Sequence, residues 1–208
     1  MDLCVAVHGA GGKLGTLICE QAHREQVKVL AIARNTSVPQ SDVVIDVSSA
    51  EGLSSLLTQM SGQPLLIGTT GELPWKALEA YATQAPVAVV PNFSVGVPLL
   101  LDLVQKAVRA LPAGWDIEVV EAHHNQKKDA PSGTAKRIVR AIQEAGGGEV
   151  PTHALRAGDT FGEHTVWLCG PGERLELKHV ATGRKVFAIG ALRWARWLRT
   201  QDPGLIRP

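Results

Sequence analysis

The chain has 208 residues, 45% of them hydrophobic, with 21 Lys+Arg against 20 Asp+Glu and a formal net charge of +1. That is apolar material for one large domain or two small ones, and the charge balance excludes a bulk pull toward nucleic acid or a membrane surface. Cys4, Cys19 and Cys169 are an odd, sparse set, which argues against a disulfide framework and for a cytoplasmic protein. No Cys/His spacing suits a metal site, and no apolar run is long enough to span a bilayer.

Leu3 to Val7 is a short continuous apolar run, suited to a strand buried on both faces. His8-Gly-Ala-Gly-Gly-Lys-Leu-Gly15 follows, and Leu14, Leu17, Ile18 and Ala22 then recur at helical spacing. A strand, a glycine turn and a helix form the setting in which glycines let a backbone approach a pyrophosphate. A plain tight turn is the competing reading, because Leu14 stands where the third glycine of a strict motif would fall. A second strand, Val27 to Ala33, ends at Arg34 with no carboxylate before Asp42. That favours a 2′-phosphate and hence NADPH over NADH, with a solvated surface arginine as the competing reading.

Val43 to Val47, Leu65 to Ile67 and Val87 to Val90 read as three more strands. Helical faces between them carry Leu53, Leu56, Leu57 and Met60, then Trp75, Leu78 and Ala82. Such alternation predicts an α/β fold, a Rossmann-like doubly wound parallel sheet with its ligand at the carboxyl ends of the strands. A helix over Val97 to Leu111 closes this part, and the pattern then changes. Trp115 to Ala122 alternates polar and apolar residues. His153 to Ala157, Thr165 to Cys169 and Leu175 to Val180 are strand-like pieces between glycine-rich turns. They predict a second α+β domain with an open, mixed sheet. Arg184 to Leu198 reads as strand then helix, with Trp194, Trp197 and Leu198 packing on the first domain and Arg193, Arg196 and Arg199 facing water or a partner subunit; a membrane-surface element is the competing reading of so basic and Trp-rich a helix. The expected division is residues 1–94 and 183–208 for the first domain, whose strand ends suit a dinucleotide, and 95–182 for the second, whose open sheet suits pairing between subunits.

The stretch from Glu121 to Ala135, Glu-Ala-His-His-Asn-Gln-Lys-Lys-Asp-Ala-Pro-Ser-Gly-Thr-Ala, joins that alternating strand to a helix ending near Ala145. Its histidines can exchange protons near neutral pH, its lysines can hold anions, and its Ser-Gly-Thr turn opens a helix whose N–H groups favour a carboxylate or phosphate. Two ordinary strand-end histidines are the bland alternative, which the fixed spacing to Lys127 and the turn disfavours.

This stretch resembles the signature of the bacterial dihydrodipicolinate (4-hydroxy-tetrahydrodipicolinate) reductases, E-A-H-H-x-x-K-x-D-A-P-S-G-T-A, at every fixed position. Ile67-Gly-Thr-Thr-Gly, Pro91-Asn-Phe-Ser-Val-Gly-Val and Arg156-Ala-Gly-Asp-Thr-Phe-Gly-Glu-His-Thr are similar to further segments of that family. The resemblance implies a homotetrameric, NAD(P)H-dependent oxidoreductase of diaminopimelate and lysine biosynthesis. It implies His123 as general acid/base and Lys127 as a proton donor, with His124, Ser132, Gly133 and Thr134 on substrate carboxylates. Gly9, Ala10, Gly11, Gly12, Lys13, Leu14, Gly68, Thr69, Thr70, Val90, Pro91, Asn92 and Phe93 would line the cofactor beside Arg34. Another reductase of a small cyclic dicarboxylate, or a non-catalytic nucleotide sensor, are the alternatives. The chain departs from the family in shortened segments after Arg34 and before Arg156.

Overall fold

The computed structural model describes residues 2–33 and 36–207. In chain order its elements are β1 (Cys4–His8), α1 (Lys13–Arg24), β2 (Lys28–Ile32), β3 (Val43–Asp46), α2 (Ala50–Leu57), β4 (Leu65–Ile67), α3 (Trp75–Tyr81) and β5 (Pro86–Val89). Then come α4 (Gly96–Ala110), β6 (Asp116–His123), α5 (Gly133–Glu144), β7 (Thr152–Arg156), β8 (Glu163–Gly170), β9 (Glu173–Val180), α6 (Lys185–Leu198) and β10 (Gly204–Ile206). They form two compact units, Met1–Phe93 with Arg184–Pro208, and Ser94–Gly183.

The first unit holds a six-stranded sheet in the order β10-β5-β4-β3-β1-β2, and every pairing in it is parallel. A parallel sheet buried on both faces needs apolar residues at successive positions, and its period of two divides them between two cores. Val5, Val7, Val43, Ile45, Leu66 and Ala88 face Ile18 and Ala22 of α1 and Ala188, Ala191, Leu192 and Ala195 of α6. Ala6, Val44, Leu65, Ile67, Val87 and Val89 face Leu53 and Leu56 of α2 and Leu78 and Tyr81 of α3. Because β1 has β2 on one side and β3 on the other, the strand order reverses at its carboxyl end, where such sheets bind ligands.

Two expectations for this unit are corrected. Arg184 to Leu198 contains no strand: the helix begins at Lys185, because Ala188, Ala191, Leu192, Ala195 and Leu198 recur at helical spacing and all are buried. The sheet also gains a strand that was not foreseen, β10, beside β5. Leu198 is buried and Trp194 packs against the same core, but Trp197 stays 42% exposed, edge-on to Trp194 at 5.1 Å. Arg196 pairs with Glu25 at 2.5 Å. No helix among the described residues is long and apolar enough to cross a membrane.

The second unit is a mixed four-stranded sheet in the order β7-β6-β8-β9, with β6–β7 parallel and the other pairs antiparallel. Ile117, Val119, Val166 and Leu168 on one face pack against Leu100, Val104 and Val108 of α4 and Ala135, Ile138 and Ile142 of α5. The opposite face is open. It carries half-buried Val120 and Trp167 with exposed Leu155 and Val180.

Candidate functional site

Within the second unit the helix-covered face of the sheet turns polar at one end. Alternation along β6 puts Glu121 and His123 on the face that buries Ile117 and Val119. Register then places His164 of β8 opposite Glu121, His179 of β9 opposite His164, and Arg156 of β7 opposite His123. The Glu121 side chain is fully buried, and a buried carboxylate must be paired and hydrogen-bonded. Arg156 donates to it from Nη2 at 2.7 Å and Nη1 at 2.9 Å, the Ser132 N–H donates at 3.0 Å, and His123 Nδ1 lies 2.5 Å from Oε2. Burial works to raise this carboxyl, but the Arg156 hydrogen bonds, the Ser132 N–H and His123 outweigh it and hold it below the ordinary value. With Glu121 ionised, Nδ1–H of His123 is the donor and Nε2 is left to accept or deliver a proton.

His123 is pushed below the ordinary imidazole value, first by burial. Glu121 pulls the other way, and Lys127 and Arg156 add to the lowering. Gly162 presses close to it: a Cβ there would stand 3.2 Å from His123 Nε2. Lys127 is half-buried and pairs with Asp129 at 2.8 Å. His124 is half-buried just past β6, and its carbonyl accepts the Lys127 N–H. Ser132 caps α5, its Oγ accepting the Ala135 N–H at 3.1 Å. Gly133 is the exposed first residue of that helix and Thr134 the half-buried second. The first turn holds no acidic side chain, so the positive end of α5 is not neutralised by its own sequence. His123 and Ser132 are thus gathered around Glu121, with Lys127 near enough for its charge to act on His123. Glu121, Arg156, His164 and His179 were given no role by sequence reasoning. The available signal was a carboxylate on the apolar side of an alternating strand, a position that demands a partner.

The first unit carries its own recess at the reversal of strand order, a pocket of about 690 Å³ whose lining includes Gly9, Ala10, Gly11 and Gly12. His8, Ile32, Ala33, Thr36, Ser48, Ser49 and Gly52 complete much of the wall. Gly9 has φ +84°, and a Cβ on it would meet the Val47 carbonyl oxygen at 2.7 Å; one on Gly15 would meet the Gly9 carbonyl oxygen at 2.1 Å. Gly15 therefore supplies the close packing that Leu14, at the expected place, cannot. Lys13 is exposed in the first turn of α1, which has no acidic residue and no side-chain cap, while Leu14 packs into the core. This bare N-terminus beside a backbone cradle fits the pyrophosphate of a dinucleotide. Arg34 lies outside the described residues.

Gly68, Thr69, Thr70, Val90, Pro91, Asn92 and Phe93 follow β4 and β5 and do not line this pocket. Val90 and Phe93 are buried in the core, Pro91 and Thr70 are exposed, and Asn92 is half-buried. Asp46, fully buried at the end of β3, ties together the ends of β1, β3 and β4. It accepts from His8 Nδ1 at 2.7 Å, Ser48 Oγ at 2.6 Å and Thr69 Oγ at 2.5 Å. Among the described residues no cluster of His, Cys, Asp and Glu could hold a metal ion.

A family model described as dihydrodipicolinate reductase, C-terminus, matches residues 96–207. The 4-hydroxy-tetrahydrodipicolinate reductase of Stenotrophomonas maltophilia (strain R551-3) is 42% identical over 230 residues, spanning 99% of this chain and 95% of its own. That of Myxococcus xanthus (strain DK1622) is also 42% identical, over 199 residues, 84% of this chain and 73% of its own. In fold, the dipicolinate-bound dihydrodipicolinate reductase of Paenisporosarcina sp. TG-14 matches with a TM-score of 0.78 over 100% of this chain and 98% of that one, at 21% identity. With its C-terminal half matched by the family model and nearly its whole length matched by relatives at such identity, this chain belongs to the dihydrodipicolinate reductase family.

Proposed function

We propose that the chain reduces 4-hydroxy-tetrahydrodipicolinate to tetrahydrodipicolinate with a nicotinamide cofactor, NADPH preferred over NADH, in diaminopimelate and lysine biosynthesis. The observation that carries this reading is the buried Glu121–His123 pair beside Lys127 and the start of α5. The net change removes the ring hydroxyl as water and takes up one hydride and one proton. When bound, the nicotinamide supplies the hydride. His123 holds the proton at Nε2, because Glu121 occupies Nδ1. A dianionic substrate brought against His123 favours its protonated form, so the imidazole is charged when the ring needs an acid. Lys127 exchanges Asp129 for a substrate carboxylate, and Ser132, Gly133, Thr134 and His124 hold the carboxylates in place. A non-catalytic sensor has no use for a buried acid/base pair.

Residues 1–93 and 184–208 take the cofactor through the Gly9–Gly12 turn. Residues 94–183 take the substrate, and the open sheet face with Leu155 and Val180 suits assembly into a homotetramer. Three free cysteines suit a cytoplasmic enzyme. The test generates the unstable substrate in situ and follows loss of nicotinamide absorbance with NADPH and with NADH. Turnover is expected with both and faster with NADPH, and no turnover with either defeats the reading. His123→Gln should lower kcat by roughly 10²–10⁴-fold with cofactor affinity unchanged. Arg34→Ala should reduce the preference for NADPH; an unchanged ratio removes Arg34 from phosphate recognition.

A further inference from the structure

Ser132 Oγ lies 3.3 Å from Nε2 of His164. His164 is 3% exposed, and its Nδ1 has no hydrogen-bond partner among the described residues. The ring stands between His123, edge-on at 5.2 Å, and His179 at 6.3 Å. Its two neutral tautomers differ in consequence. With the proton on Nδ1, a buried N–H donor has no acceptor, and the Ser132 hydroxyl spends its own proton on Nε2. With the proton on Nε2, only an acceptor lone pair at Nδ1 goes unpaired, which costs less than an orphaned N–H. The second tautomer is therefore the favoured one. Ser132 Oγ then accepts twice, from the Ala135 N–H at 3.1 Å and from His164 Nε2–H. Both lone pairs are filled, and its own proton must be given to another acceptor.

We propose that His164 is a positioning residue that makes the Ser132 hydroxyl an obligate hydrogen-bond donor, so that this subsite takes an anionic carboxylate oxygen and rejects a donor group. The inference rests on Ser132 contacting substrate, as in the proposed function. Its logic is the polarity of a hydroxyl: free to rotate, Ser132 could serve donor and acceptor ligands alike, but with Oγ saturated it serves acceptors only. A protonated His164 would donate to Ser132 in the same way but place a second cation beside His123. Burial, then His123, holds its pKa at about 4, so the ring stays neutral at working pH.

The direct test is NMR of the enzyme labelled with ¹⁵N-histidine, which reads the His164 tautomer without reference to activity. The proton is expected on Nε2, and a proton on Nδ1 overturns the proposal. Kinetics supply the second arm, with thermal unfolding used to confirm that each variant folds. His164→Met should raise KM for the substrate and Kd for pyridine-2,6-dicarboxylate about tenfold, the scale of a hydrogen bond to a charged group, with kcat within about twofold. His164→Gln, whose amide can still donate to Ser132, should restore much of that loss. If Met and Gln behave alike, or if the His164→Met loss is undiminished in a Ser132→Ala background, His164 does not act through Ser132. Ser132→Ala alone separates the two readings: unchanged KM would mean that Ser132 is no substrate contact, whatever tautomer His164 holds.

Discussion

At the scale of single residues, Glu121 joins what the motif only sets side by side. It is a fully buried anion that fixes Arg156, the Ser132 N–H and His123 with one carboxylate. Glu121→Gln keeps the shape but removes the charge, leaving the Arg156 guanidinium without its ion-pair partner. Breaking a buried pair from one side costs about 3 kcal/mol or more, so the variant should unfold at clearly lower urea concentration. It should also lose kcat while retaining NADPH affinity, because a neutral amide anchors His123 Nδ1–H less firmly than the carboxylate; a variant with unchanged kcat would release Glu121 from any part in orienting His123. That His123 and Lys127 stand near one another was legible in the sequence because their spacing is local. The role of Glu121 was not, since Arg156 lies 35 residues away and only the β6–β7 register brings it opposite His123.

At the scale of elements, the alternation of strand and helix could be read where apolar runs were long or cleanly periodic, as in β1, β5, α4 and α5. Two elements escaped. The start of α6 offers Val186-Phe-Ala-Ile189, a short apolar run that serves a strand or a buried helix equally well, and length alone decides between them. β10 has three residues, too few to show a period, and it is a strand only because the edge of β5 accepts it. It is held further by Arg207, which pairs with Glu79 at 3.1 Å and stacks over Trp75 at 4.2 Å. Ending the chain after Thr200 should therefore expose the β5 edge, an aggregation hazard. The truncated protein is expected to melt several degrees lower and to scatter light on heating; an unchanged melting curve would show that β5 does not need its cover.

At the scale of the whole molecule, acid should act through the histidine row. Burial first, and His123 second, depress His164 from 6.5 to about 4. Below its ordinary value the unfolded chain takes up a proton that the folded protein refuses, so stability is complete above pH 6.5 and is lost as pH falls toward 4. The loss is about 3 kcal/mol on the scale of 1.36 kcal/mol per pKa unit. Glu121, held low by its partners, keeps its contribution above the ordinary carboxylate range and surrenders it only in stronger acid. Urea midpoints measured from pH 7 to 4 should fall in the wild type, and His164→Gln should flatten that slope; an equal slope in the variant would assign the loss to other groups. The discontinuous first unit has a different consequence, for synthesis. Its core needs the buried face of α6, and its sheet needs β10, yet both follow the complete 94–183 unit in the chain. A ribosome at residue 183 has finished the second unit and left Val5, Val7, Ile45 and Leu66 without the cover of α6. The unit begun first is therefore the one completed last, and for the time taken to make residues 184–206 that bare apolar face is open to aggregation.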